Sequence, residues 1–232
     1  MDLNFSKTSF LGLVIRENRV FILPFLLFAA LFLILLGIYG NHQLFLYFNS
    51  YHSSASDFIF LCLTNLGDGL VAALLILFLL WISYREALTF LVITLIITIL
   101  VNLFKDYLFP ELNRPVAFFG TSQVLHLIPG YKPPMLSTFP SGHTATAFSV
   151  GLYLSFLLKN RLAKFCLFVL AFFVGYSRIY LSAHFPADVV AGAFFAVAIT
   201  LICYTLSRGI ASSWLDKKIE YIPQLFVRRQ KA

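Results

Sequence analysis

Six stretches of this chain run for about the thickness of a bilayer with almost no charge in them, and that feature removes most folds. They lie near 20–39, 68–84, 87–104, 142–158, 165–183 and 187–207. A helix needs roughly 17–25 apolar residues to cross hydrocarbon. The second and fourth runs are short, so their ends draw on apolar residues of the neighbouring loops. Apolar runs this continuous exclude a β-barrel, whose strands alternate. Composition agrees, with 60% of the 232 residues hydrophobic and 12% charged, about half the charged fraction of a soluble domain. The expectation is an all-α integral membrane protein with six transmembrane helices in a single bundle. The first run lacks a small-residue cleavage site and five more follow it, so it reads as an anchor rather than a signal peptide.

Charge distribution orients the bundle. Six spans leave both termini on one side, and 13 of the 17 Lys and Arg fall in the segments on that side. Basic residues favour the cytoplasm, so both termini are expected there. The net charge of +7 then reflects topology and attraction to anionic lipid, not nucleic acid. Three segments follow: an interfacial stretch over 1–19, a membrane domain over 20–207 and a basic tail over 208–232. Cys62, Cys166 and Cys203 sit in or beside spans with no metal-ligand spacing, and read as packing residues. Asp68, before the second run, is placed to cap a helix. Residues 106–139 form the longest connection, rich in Pro and Gly yet too apolar for disorder, and loops of this length usually bind something. This one is expected to lie in the interface and wall a site. His42, His52 and His126 read as interfacial residues, and Lys132 has no assigned task.

Four cations break the charge rule by lying on the outer side: Lys105, Arg114, Lys132 and Arg178. Topology brings Lys105, Arg114 and Arg178 to the depth of Ser141-Gly142-His143 at the start of the fourth span. His184 and Asp188 join them around the start of the sixth. An anion accounts for this set. A helix N-terminus offers unpaired N–H groups to a phosphate, and Gly142 lets the backbone approach an oxyanion. Arg and Lys supply charge-assisted donors. Two His and one Asp beside three cations suit a divalent metal poorly, so no metal and no other cofactor is expected. His184 and Asp188 are four apart and share a helical face. A carboxylate on one imidazole nitrogen fixes the tautomer and leaves the other nitrogen as nucleophile or base. His143 is then placed to protonate a leaving oxygen.

Lys105-x8-Arg114-Pro115, Pro140-Ser141-Gly142-His143 and Ser177-Arg178-x5-His184-x3-Asp188 resemble the three signature motifs of the type 2 phosphatidic acid phosphatase family. The resemblance covers roughly residues 57–207. The second and third motifs fit in full; the first is longer by two residues than the family usually has. The resemblance implies a membrane phosphatase without a metal, in which His184 forms a phosphohistidine, Asp188 orients it and His143 protonates the departing group. Lys105, Arg114, Ser141, Gly142 and Arg178 would hold the phosphoryl oxygens. With eight residues intervening, Arg114 is expected to reach the phosphate bidentately while Lys105 sits further out.

A site at the outer interface calls for an amphiphilic substrate: phosphatidic acid, phosphatidylglycerophosphate, a polyprenyl diphosphate or a phosphorylated lipid A. A phosphotransferase passing the phosphoryl group to another acceptor would use the same residues. A non-catalytic lipid-phosphate binder would need the cations but not the His-Asp pair. The expected location is a bacterial cytoplasmic membrane, crossed several times, with the site facing outward.

Overall fold

The computed structural model of the protein describes residues 10–122 and 125–218. Regular structure among them is helical throughout. An amphipathic α1 (Phe10–Glu17) turns at Asn18 into α2 (Arg19–Tyr39), and α3 (Asn41–Asn49) follows. Next come α4 (Ser54–Thr64), a 3-10 turn (Asn65–Gly67) and α5 (Gly69–Leu79). The α6 helix (Tyr84–Asn102) runs on into a π-helical stretch (Leu103–Leu108), and a short α7 (Pro115–Phe119) lies in the long connection. The chain then forms α8 (Gly142–Leu157), α9 (Arg161–Tyr180) and α10 (Pro186–Arg208). The basic residues expected at Lys7, Arg228, Arg229 and Lys231 lie outside the described residues.

Local chemistry sets the boundaries. Ser53, Ser83 and Asn160 each accept a backbone N–H three residues on, opening α4, α6 and α9, which satisfies donors that a helix start leaves unpaired. Asp68 Oδ1 accepts from Leu70 N at 2.8 Å and so starts α5, the capping role its position suggested. That cap stands at the start of the expected second span, but the helix it opens is shorter than the span. α5 is only 11 residues long, and α4 with its 3-10 turn meets it at a bend of 52°.

Among the described residues, four helices are long and apolar enough to cross a membrane: α2, α6 with its π-helical extension, α9 and α10. The bent α4–α5 pair makes a fifth if it is one span. α8 has 16 residues and falls short of that length. Lipid-facing surface is plain on these helices, with Leu27 71%, Ile38 67%, Ile99 67% and Leu206 66% exposed. Apolar surface of that extent on helices this long marks a multi-pass membrane protein.

The most extensive packing joins α8 to α9 and α10. Without water to drive association, helices in lipid gain by close approach of small residues. Ala145, Ala171, Ala193 and Ala196 are buried along these contacts. At Gly192 a Cβ would lie 2.4 Å from Ser141 O, so the backbones of α10 and the α8 start touch there. Phe21, Phe25 and Phe28 of α2 pack edge-on or stacked against Phe148, closing the other side. One end of this bundle gathers the start of α8, the end of α9, the start of α10 and the π-helical end of α6.

Candidate active site

Three segments converge on His184. The Arg178 carbonyl accepts from both Ala183 N and His184 N at 3.0 Å, so the turn between α9 and α10 is tied back to the last turn of α9. His184 follows that turn and is 1% exposed. Its Nδ1 lies 3.3 Å from Asp188 Oδ2. Pro186 opens α10, where its missing N–H costs nothing, and Asp188 one turn in accepts from Phe185 N at 2.9 Å. The Thr138 hydroxyl also donates to Asp188 Oδ2 and stands 3.3 Å from His184 Nδ1. The carboxylate is thus fixed by three donors and faces the imidazole in one orientation.

The other ring nitrogen is defined by its neighbour. Arg114 Nη1 is 3.1 Å from His184 Nε2, and a guanidinium can only donate. Nε2 therefore accepts, its lone pair is directed at Arg114, and the proton of the neutral ring resides on Nδ1, facing Asp188. Backbone carbonyls hold Arg114 in place: Leu136 O at 2.8 Å from Nε, Ala183 O at 3.0 Å from Nη1 and Ser137 O at 3.3 Å from Nη2. Arg114 N in turn donates to Met135 O, and Thr138 N to Leu112 O. The 106–139 connection folds back on itself to deliver Arg114 and Thr138 together.

The start of α8 lies against this pair, with Ser141 N donating to Asp188 O at 3.0 Å. Ser141 is fully buried. Its Oγ accepts from Thr144 N at 3.4 Å and from the Thr144 hydroxyl at 2.8 Å, an N-cap arrangement. At Gly142 a Cβ would sit 3.6 Å from Val101 and 3.9 Å from Lys105 Nζ. Lys105 therefore reaches the start of α8 and does not stand off as the long first motif suggested. The reason is the π-helical stretch, in which Phe109 N donates to Phe104 O at 2.8 Å. That wider i→i+5 turn absorbs the extra residues after α6, and the helix ends at Phe109 before Pro110, where proline disfavours helical geometry.

Arg178 and His143 complete the set. Arg178 is 4% exposed. Its Nη1 donates to Thr64 Oγ1 at 2.5 Å, and Tyr131 interacts with it electrostatically. Its Nε has no hydrogen-bond partner among the described residues. His143 is half-buried and interacts electrostatically with Arg178, Asp68, Lys105 and Arg114. Its backbone rests on the bend below α5: a Cβ on Gly67 would lie 2.7 Å from His143 O and 2.9 Å from His143 Cβ.

All eight residues singled out from the sequence thus lie at one end of the bundle. Thr138, Thr64, Tyr131 and Gly67 were not singled out, since each acts through a contact distant in sequence. Thr138 alone carried a hint, standing three residues before Ser141. Lys132 remains without a contact at the site. His126 pairs with Asp57 at 2.7 Å and stacks on His52 with ring centroids 4.0 Å apart, while His42 stacks on Phe118. Among the described residues no group of three or more His, Cys, Asp or Glu side chains is placed to hold a metal ion.

Comparison with known proteins identifies the family. Residues 86–210 match the PAP2 superfamily. The lipid A 4'-phosphatase of Bacteroides thetaiotaomicron is 29% identical over 162 residues, which are 65% of this chain and 69% of that protein. The undecaprenyl-diphosphatase BcrC of Bacillus subtilis is 28% identical over 162 residues, covering 68% of this chain and 78% of its own. The crystal structure of Aquifex aeolicus LpxE superimposes with a TM-score of 0.61 at 30% identity, over 73% of this chain and 95% of that one. A family match spanning more than half the chain, over a segment that holds all eight residues singled out from the sequence, means that the chain belongs to the PAP2 superfamily.

Proposed function

We propose that this phosphoric ester hydrolase removes phosphate from a lipid phosphate monoester or diphosphate through a phosphohistidine on His184. The observation that carries the reading is the pairing at that ring: Nε2 accepts from Arg114 at 3.1 Å while Nδ1 faces Asp188 at 3.3 Å. This is the tautomer an attacking imidazole requires. On binding, a phosphoryl oxygen takes over the Arg114 donor and the unpartnered Arg178 Nε. Lys105 and the first N–H groups of α8 hold the other oxygens.

Nε2 attacks phosphorus, a P–N bond forms and the P–O bond to the lipid breaks. The departing oxygen takes a proton from His143, and Asp188 stabilises the charge that develops on His184. Water then attacks the phosphohistidine, giving its proton to His143, and His184 is released with inorganic phosphate. Positive side chains neutralise charge that a divalent metal carries in many phosphoryl-transfer enzymes.

The membrane arrangement proposed with this chemistry has six crossings, counting α8 and the bent α4–α5 pair. Both termini are cytoplasmic and the site faces outward, in a bacterial cytoplasmic membrane. The relatives named as lipid A and undecaprenyl diphosphate phosphatases support an amphiphilic substrate. The test is phosphate release by purified protein from a panel of phosphorylated lipids in detergent, with and without EDTA. Release that persists in EDTA is expected. Activity lost to EDTA and restored by magnesium or zinc would overturn the reading.

A further inference from the structure

A second charged site lies at the opposite end of the bundle. The end of α1, the start of α2 and the turn between α8 and α9 line an open cavity of about 580 Å³. Arg16, Arg19, Lys159, Arg161 and Lys164 line it, with Glu17 as the one carboxylate. Arg161 opens α9 and Arg178 lies near its other end, so roughly 25 Å of helix separates this cavity from the candidate active site.

Topology asks for basic residues at this end of the bundle but not for their convergence on a cavity. Elsewhere at the same end, cations are matched by carboxylates: Arg85 with Asp216 at 2.6 Å and Arg208 with Glu86 at 2.5 Å. Among the described residues none of the five cavity cations is in an ion pair. Lys164 is buried, yet its Nζ rests on neutral acceptors, Glu17 O at 3.0 Å and Asn18 Oδ1 at 2.7 Å. Like charges gathered around one volume repel unless an anion sits among them.

The surroundings say which kind of anion. Phe10 and Ile15 of α1 are 45% and 39% exposed, Leu23 of α2 is 55% and Leu162 of α9 is 69%. These apolar side chains lie on the helices that contribute to the cavity, and Val20 and Leu158 line it. A cationic cavity lined in part by Val20 and Leu158, on helices that carry exposed apolar side chains, suits a headgroup whose acyl chains continue along α2 and α9. We propose that this cavity binds the phosphate of an anionic membrane phospholipid, as a site distinct from the one that carries out chemistry.

The experiment uses the full chain in detergent and native mass spectrometry, with phosphatidylglycerol, phosphatidylcholine and inorganic phosphate as the three probes. Phosphatidylglycerol is a phosphodiester, so retention is not confused with turnover of a monoester. Phosphatidylglycerol should be retained as one equivalent, at least about tenfold more tightly than phosphatidylcholine, and equimolar inorganic phosphate should not displace it. Arg19→Gln with Arg161→Gln should weaken retention about tenfold or more. Lys217→Gln with Lys218→Gln, which removes equal charge at the same end but outside the cavity, should leave it unchanged. Arg16→Gln with Lys159→Gln serves as a second pair should the first fail to fold. Equal losses in the cavity and control variants would mean bulk charge attraction and overturn the proposal. So would indifference between the two lipids, or displacement by inorganic phosphate, which would assign the cavity to a free anion.

Discussion

Thr138 stands beside both members of the His184–Asp188 pair, donating to the carboxylate while lying 3.3 Å from His184 Nδ1. Valine has nearly its shape and no hydroxyl, so Thr138→Val removes one donor from a buried carboxylate without opening a cavity. Hydrogen bonds to charged groups are worth about 1.5–3 kcal/mol, which predicts a fall in kcat of about tenfold or more with KM little altered, and recovery in Thr138→Ser. Steady-state kinetics on a soluble short-chain substrate would check this. Lys105 and Arg114 give a second contrast. The spacing between them suggested a remote lysine, but the π-helical turn brings Lys105 to Gly142. Alanine at either position should therefore lower kcat/KM by about 100-fold or more, the cost of a lost transition-state donor, and the two losses should agree within about tenfold. A Lys105→Ala variant close to wild type would show that its ammonium does not reach the phosphate.

Glycines at the joins between helices set how these side chains are carried. A Cβ at Gly192 would meet Ser141 O at 2.4 Å, and backbone cannot yield as a side chain can. Gly192→Ala should force α10 away from the start of α8, lowering stability by about 1–3 kcal/mol and activity with it. Gly142 has ordinary space for a methyl group, with its nearest contacts at 3.6 and 3.9 Å. Gly142→Ala should thus unfold at the wild-type temperature yet show a raised KM, because the methyl intrudes where an oxyanion approaches the helix N-terminus. Thermal unfolding in detergent alongside kinetics separates the two. Gly67 presses on His143 from the bend between α4 and α5, so that bend positions the residue proposed as the acid.

Much of the molecule was legible because lipid imposes strict demands on sequence. Runs of apolar residues gave α2, α6, α9 and α10, and misplaced cations pointed to the site. What escaped has physical causes. The 40–67 segment carries α3 and α4, whose short lengths fall below a bilayer crossing, and the run that begins at Asp68 holds only the 11-residue α5, bent from α4 by 52°. Two extra residues before Arg114 could bulge or wind, and periodicity does not distinguish a π-turn from a loop. Thr64 meets Arg178 only through tertiary contact. In the function proposed above, groups from the π-helical extension of α6, α8, α9, α10 and the long connection surround one phosphoryl position, with His184 Nε2 as the nucleophile. The most direct test is rapid quenching of the purified protein during turnover of a lipid labelled in its terminal phosphate. Acid-labile, base-stable label should appear on the peptide carrying His184 and be absent from His184→Ala, which should also release no phosphate. Label on another residue, or appreciable turnover in His184→Ala, would contradict the account.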